Sequence, residues 1–220
     1  MGKDVHSGTG EKILKYLCEK SEHTKRVISM PDDALLSWSE AKARLKDKTH
    51  AQLLGLLGEC YRKNKSVREY LSIELLDSED ERQHMLATLE KELRAAFWAV
   101  DARGAPKGPF LREVRAILSK TARLTKADPT RHLDMLLQAA EHGIGFSAAY
   151  GDMNERYYDT IVRIFDEAAT LLCSLPESAD TDAAHGRMTK MVAPAQRMGW
   201  GFYDDLTASL ARLSLRGERV

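Results

Sequence analysis

Apolar residues recur at every third or fourth position along most of this chain, with charged residues between them. That period predicts amphipathic helices. Ile13, Leu14, Leu17, Val27 and Ile28 give a moderate pattern over Glu11 to Ile28, which Met30-Pro31-Asp32-Asp33 breaks. A short helix is expected over Ser39 to Lys46. Thr49 followed by Gln52 carries a capping-box signature, in which a hydroxyl accepts a backbone N–H and an amide reaches back. Leu53, Leu54, Leu57, Cys60 and Tyr61 follow as one apolar stripe. A break near Asn64-Lys65-Ser66 leads into a second short helix through Val67, Tyr70, Leu71 and Leu75. Ser78 with Glu81 caps what the pattern makes the longest helix, with Met85, Leu86, Leu89, Leu93, Ala96 and Phe97 on one side.

Breakers punctuate the second half. Two glycines and two prolines in Arg103 to Pro109 demand a loop. A helix is expected from Phe110 to Leu124, and Asp128-Pro129 reads as an N-cap followed by an N1 proline. Leu133, Leu136, Leu137 and Ala140 continue at helical spacing, with an end predicted at His142-Gly143 and one further turn over Ile144 to Ala149. Asp152 with Glu155 reads as an acidic capping box for a helix carrying Tyr157, Ile161, Ile164, Phe165, Ala168, Leu171 and Leu172. A weak helix over Ala183 to Arg197, shortened or kinked by Pro194, a turn at Gly199 to Gly201 and a last helix over Phe202 to Leu213 complete the pattern. Strand-length alternation is absent. The expected fold is all-α, about eight helices in an irregular bundle or a short array of helical hairpins. Residues 1–40 are expected as a partly helical extension, 41–215 as the main domain and 216–220 as a flexible tail.

Composition narrows the function classes. Lys plus Arg and Asp plus Glu both number 33, so the overall field is neutral and gives no bulk attraction to nucleic acid or membrane. No run approaches the roughly 18 apolar residues of a spanning helix. The charged first thirty residues lack the apolar core of a signal peptide. Cys18, Cys60 and Cys173 are far apart, form no CxxC pair and fall in helical apolar patterns. They read as small buried hydrophobes in a reducing cytoplasm rather than as a disulfide framework or zinc site.

Three stretches then carry a resemblance. Tyr61-Arg62-Lys63-Asn64-Lys65-Ser66-Val67-Arg68-Glu69-Tyr70-Leu71 follows a leucine-rich helix. Phe146-Ser147-Ala148-Ala149-Tyr150-Gly151-Asp152-Met153-Asn154-Glu155 and Gly199-Trp200-Gly201-Phe202-Tyr203-Asp204-Asp205-Leu206 each set glycine, aromatics and carboxylates before a helix. Together they resemble a bacterial all-helical family of unknown function, over roughly Ala41 to Leu213. That family has a Tyr-Gly-Asp-Ile-x-Glu signature and a Gly-Trp-Gly-Phe-His-Asp-x-Leu signature. Tyr203 stands where the family has histidine, which removes a proton-transfer group. The resemblance implies an all-α domain and no established activity. Its motif residues here are Tyr150, Gly151, Asp152, Glu155, Tyr158, Gly199, Trp200, Gly201, Phe202 and Asp204.

Each distinctive feature has two readings. Asp152, Glu155 and Asp159 at i, i+3 and i+7 share a helical face that either binds a cation or serves the positive helix terminus as caps. The aromatic pool of Trp200, Phe202, Tyr203, Tyr150, Tyr157 and Tyr158 either lines a pocket or packs as core, with the two motifs packed on each other. Arg112, Arg115, Arg123 and Lys126 fall on one face of the helix after the loop, opposite Val114, Ile117, Leu118, Thr121 and Leu124. That stripe either contacts phosphates or is a solvated face. From Ala102 to Arg131 bases prevail, and from Asp152 to Asp182 acids prevail, so the two segments suit pairing within the fold or between copies. No nucleophile with its base, phosphate loop, metal-ligand spacing or cofactor motif is evident, and no catalytic residue is assigned. The reading is a cytoplasmic protein-interaction or regulatory module with a protein partner or self-association. A nucleic-acid-binding module is the alternative, and a metal-dependent or acid/base enzyme comes third.

Overall fold

The computed structural model describes residues 35–214, and its contacts divide the chain into two units, Met1–Asn64 and Lys65–Val220. The expected helix over Glu11 to Ile28 and tail over 216–220 lie outside the described residues, as does the expected extension except for residues 35–40. The described residues form nine α-helices, one 3₁₀ turn and no strand; an isolated bridge between Val100 and Pro106 closes the Gly/Pro loop.

The first unit contributes α1 (Trp38–Lys46) and α2 (His50–Lys63). Both start at a complete capping box, Ser37 with Glu40 and Thr49 with Gln52. Neither has a buried residue. The stripe of Leu53, Leu54, Leu57, Cys60 and Tyr61 is therefore helical as expected but exposed, and Cys60 is not the buried hydrophobe its position suggested. Periodicity reports that a helix is amphipathic; it does not report what covers the apolar side.

The second unit runs α3 (Lys65–Glu74), α4 (Glu79–Trp98), α5 (Leu111–Leu124), α6 (Pro129–Tyr150), α7 (Glu155–Ser174), α8 (Ala179–Val192), the 3₁₀ turn (Ala193–Arg197) and α9 (Phe202–Ser214). α6 sits at the centre and packs on α4, α5, α7 and α8, while α9 packs on α7 and α8. Its interior position explains its composition, with Leu133, Met135, Leu136, Leu137, Ala139, Ala140, Ile144 and Phe146 all buried.

α6, not α4, is the longest helix at 22 residues, because it runs straight through His142-Gly143. Glycine there is a packing residue rather than a stop: a Cβ at position 143 would lie 2.4 Å from Ile161 Cδ1 of α7. The helix ends at Gly151, whose φ of 94° and ψ of −171° are open in practice only to glycine. Pro129 takes N1 as expected, but Asp128 makes no side-chain cap bond; its carboxylate pairs with Arg131 Nε at 3.0 Å. Pro194 converts the end of the weak helix to 3₁₀ geometry. Cys173 is half-buried against the core edge.

Candidate functional site

The two aromatic motifs meet. Phe202 at the start of α9 is fully buried and lies 4.6 Å, centroid to centroid, from the buried ring of Tyr158 on α7. Tyr158 is the hub of a small polar network. Its hydroxyl donates to Asp152 Oδ1 at 2.5 Å and receives the Met153 N–H at 3.1 Å. Ser147 Oγ of α6 lies 2.8 Å from the same hydroxyl and 3.3 Å from the Gly151 carbonyl. Burial of the phenol, with Asp152 beside it, pushes its pKa up.

Asp152 was expected to cap α7. Asn154 caps it instead, its side chain accepting the Tyr157 N–H at 3.0 Å. Asp152 stands ahead of the helix and accepts from Tyr158 and from the Gly199 N–H at 3.2 Å. These bonds, that of Tyr158 first, hold its carboxyl below the ordinary aspartate range. Gly199 permits the approach, since a Cβ there would meet Asp152 Oδ2 at 2.9 Å. The carboxylate thus ties the turn after α6 to the turn before α9.

The second turn is tight. The Phe202 N–H donates to the Gly199 carbonyl at 3.2 Å, and the two central residues, Trp200 and Gly201, have φ of 63° and 68°. Such a pair matches a type I′ turn. A tryptophan in that region costs on the order of 1–3 kcal/mol and persists only where its surroundings hold it. Here the indole N–H donates to the Met153 carbonyl at 3.1 Å, across the two motifs. Trp200 and Tyr150 remain exposed, and Tyr150 stacks on Phe146 at 4.7 Å. Glu155, Asp159 and Asp204 are exposed in the early turns of their helices.

Asp152, Glu155 and Asp159 therefore do not act as one face, because Asp152 is outside the helix and its Oδ1 accepts from both Tyr158 and Gly199. Among the described residues no group of three His, Cys, Asp or Glu is placed to hold a metal ion. Tyr157 is equally committed: its buried hydroxyl donates to the Gly143 carbonyl at 2.6 Å, and burial raises its pKa.

The basic stripe is interrupted. Arg115 is half-buried and pairs with Glu167 of α7 at 2.8 Å, joining the basic and acidic segments within the fold. Arg123 lies 5.6 Å from the ring centroid of Tyr70 on α3, and the neighbouring Lys120 pairs with Glu69 at 3.1 Å. Arg112, Arg123 and Lys126 stay exposed. A further bridge locks α8 to α6, where Arg187 takes both oxygens of Glu141 at 2.9 and 3.0 Å and also Asp134.

Two features carried no advance signal. The first is a contact of Trp98 with His142: the indole donates to Nδ1 at 3.2 Å, so Nε2 carries the proton of the neutral ring. Burial, with Arg94 nearby, lowers the His142 pKa. The second is the α2 surface. Leu53, Leu54, Leu56 and Leu57 are 36%, 55%, 48% and 43% exposed. Leu35, Leu36 and Trp38 add further exposed apolar side chains in the same unit. Single exposed leucines are ordinary, but four on one 14-residue helix with no buried residue are not.

Two open clefts of about 540 and 560 Å³ lie in the second unit, one edged by Gln83, Arg131, Asp134 and Asp180 and the other by Glu69, Glu92, Glu113 and Lys120. Among the described residues no helix is long and apolar enough to cross a membrane. No protein-family model matches the chain, and neither does any curated protein or solved structure.

Proposed function

We propose that the protein is a helical protein-interaction module whose contact element is the leucine face of α2, taking another uncharged apolar helix as its counterpart. The observation that carries this reading is the concentration of exposed leucine on a helix with no fully buried residue. Glu59 already pairs with Lys63 at 3.1 Å and with Arg62 within α2, so the ionic side of the helix is self-satisfied. Recognition through anchors at i, i+3 and i+4 is the usual way an amphipathic helix meets a partner. The motif junction is then scaffold, consistent with occupied polar groups and buried rings. Membership of the bacterial helical family, proposed on the three motif stretches, brings no activity with it. A cytoplasmic setting fits an exposed free thiol at Cys60.

The test is site-specific photo-crosslinking in cells. A benzophenone amino acid in place of Leu53 is expected to give discrete polypeptide adducts, and the same probe in place of Ala51, on the other side of α2, is expected to give far fewer. Equal yields at both positions would defeat the reading. The second reading, nucleic-acid binding, is favoured by the exposure of Arg112, Arg123 and Lys126. The engagement of Arg115 with Glu167 weakens it.

A further inference from the structure

Trp98 closes α4, and the backbone that follows it is pinned. The Ala99 N–H donates to the Ala95 carbonyl at 3.0 Å, the Lys107 N–H donates to the Ala99 carbonyl at 2.8 Å, and Val100 bridges Pro106. The side chain lies across one face of α6. His142, Gly145, Phe146 and Tyr150 stand at i, i+3, i+4 and i+8 of that helix and so share the face. Centroid to centroid, the indole is 6.3 Å from the His142 ring, 5.6 Å from Phe146 and 6.3 Å from Tyr150. A Cβ at Gly145 would lie 3.6 Å from Trp98 Cζ2, so the indole rests on the helix backbone there. Phe146 is buried in this contact, while Trp98 itself is half-buried.

One hydrogen bond orients the indole: Nε1 donates to His142 Nδ1 at 3.2 Å. An indole N–H only donates, and a neutral imidazole has a single acceptor nitrogen. Protonation of the ring turns that acceptor into a donor and sets two N–H groups against each other. Turning the ring over does not repair the bond, because both nitrogens of an imidazolium carry protons. The charges acting on His142 are Arg94 of α4 and Glu141 of its own helix. Arg94, one turn before Trp98, opposes an imidazolium. Glu141 favours it, but both carboxylate oxygens already accept from Arg187 of α8. Tyr157 of α7 stays neutral, its hydroxyl committed to the Gly143 carbonyl.

We propose that Trp98 and His142 form an acid-released latch: protonation of His142 swings the indole off α6 and uncovers Phe146 while the rest of the helical core stays folded. The latch stands apart from the α2 reading and from the motif junction. With the latch closed, burial holds the imidazole in its neutral form; with it open, the ring meets water and titrates near the ordinary value of 6.5. Falling pH therefore favours the open form. Below that value the open-to-closed ratio rises by up to about tenfold per pH unit, until the closed form takes up the proton as well.

The experiment follows the indole N–H signals of the full, ¹⁵N-labelled chain by NMR from about pH 7.5 to about pH 5, across the imidazole range. The Trp98 signal is the one that Trp98→Phe removes. It is expected to move from a hydrogen-bonded to a free indole position in a one-proton step, with the backbone amide pattern still that of the folded protein. In His142→Gln, whose amide oxygen accepts at every pH, the step should vanish. At the acid end the Trp98 indole proton should exchange with water at least tenfold faster in the parent than in His142→Gln. His132→Gln should leave the step where it is. Should His142→Gln fail to fold, the His142 ring signals of the parent decide, since their titration midpoint must coincide with the indole step. An indole signal that stays fixed until the whole chain unfolds overturns the latch. So does a step that survives in His142→Gln, or one whose midpoint departs from that of the His142 ring.

Discussion

The junction of the two motifs and the leucine face of α2 are opposites in sequence and in structure. The junction holds the least generic residues of the chain, and nearly every one has an internal duty: Tyr158 bonds Asp152, Asp152 holds Gly199, and the Trp200 indole bonds Met153. α2 is an unremarkable run of leucine and glycine, and its four leucines are exposed. A distinctive motif can therefore be the part of a protein that only holds it together. The ordinary amphipathic helix is the one that leaves its leucines exposed.

Substitution should separate the two regions, and the largest effect is expected in the junction. Phe202→Ala, which empties a fully buried ring site against Tyr158, should cost about 3–5 kcal/mol in chemical denaturation. A loss below about 1 kcal/mol would mean the motifs are not packed as described. Gly143→Ala should cost about 1–3 kcal/mol, because the added methyl meets Ile161 and the two central helices must separate. Tyr158→Phe removes only the hydroxyl and should cost about 1–2 kcal/mol, since it strands the Met153 N–H and takes a donor from Asp152.

Acid should sharpen the contrast further. The His142 pKa is lowered in the folded chain, so the unfolded chain binds the extra proton first. Stability from the neutral ring is complete above the ordinary histidine pKa, near 6.5, and falls as pH drops through the folded value. His142→Gln retains an acceptor for Trp98 and should flatten part of that acid limb; His132, also lowered by burial, should supply another part. An unchanged pH profile for His142→Gln would contradict the burial argument. At lower pH still, Asp152 behaves likewise. Its contribution is present above the unfolded carboxyl pKa and is lost as pH falls through the depressed folded one. The smallest effect belongs to α2: Leu54→Ser should change stability by no more than about 0.5 kcal/mol.

Helix starts were the most legible part of the chain. Thr49 with Gln52 and Ser78 with Glu81 fold into the expected reciprocal caps because that chemistry is complete within four residues. Helix ends were less so. Gly143 carries one letter for two meanings, stop and close approach, and only the presence of Ile161 on a second helix decides between them. Asp152 was misassigned for a related reason. A carboxylate ahead of a helix looks like a cap, while its true partners are Tyr158, six residues on, and Gly199, 47 residues on. Mutual packing of the motifs followed from their shared composition, an aromatic pair in want of burial. The bridge of Arg115 to Glu167 was foreseeable only as attraction between a basic and an acidic segment. The exposure of α2 was not legible at all, since its pattern is the one a buried helix would have.

The central claim is that α2 binds and the junction holds. It is tested most directly by placing Leu53→Glu and Leu57→Glu together in the full chain and measuring unfolding and sedimentation on the same sample. The account predicts an unfolding midpoint within error of the parent and loss of any association that the parent shows. A marked fall in stability would show α2 to be a buried element of the fold, and association persisting unchanged would show that contact is made elsewhere.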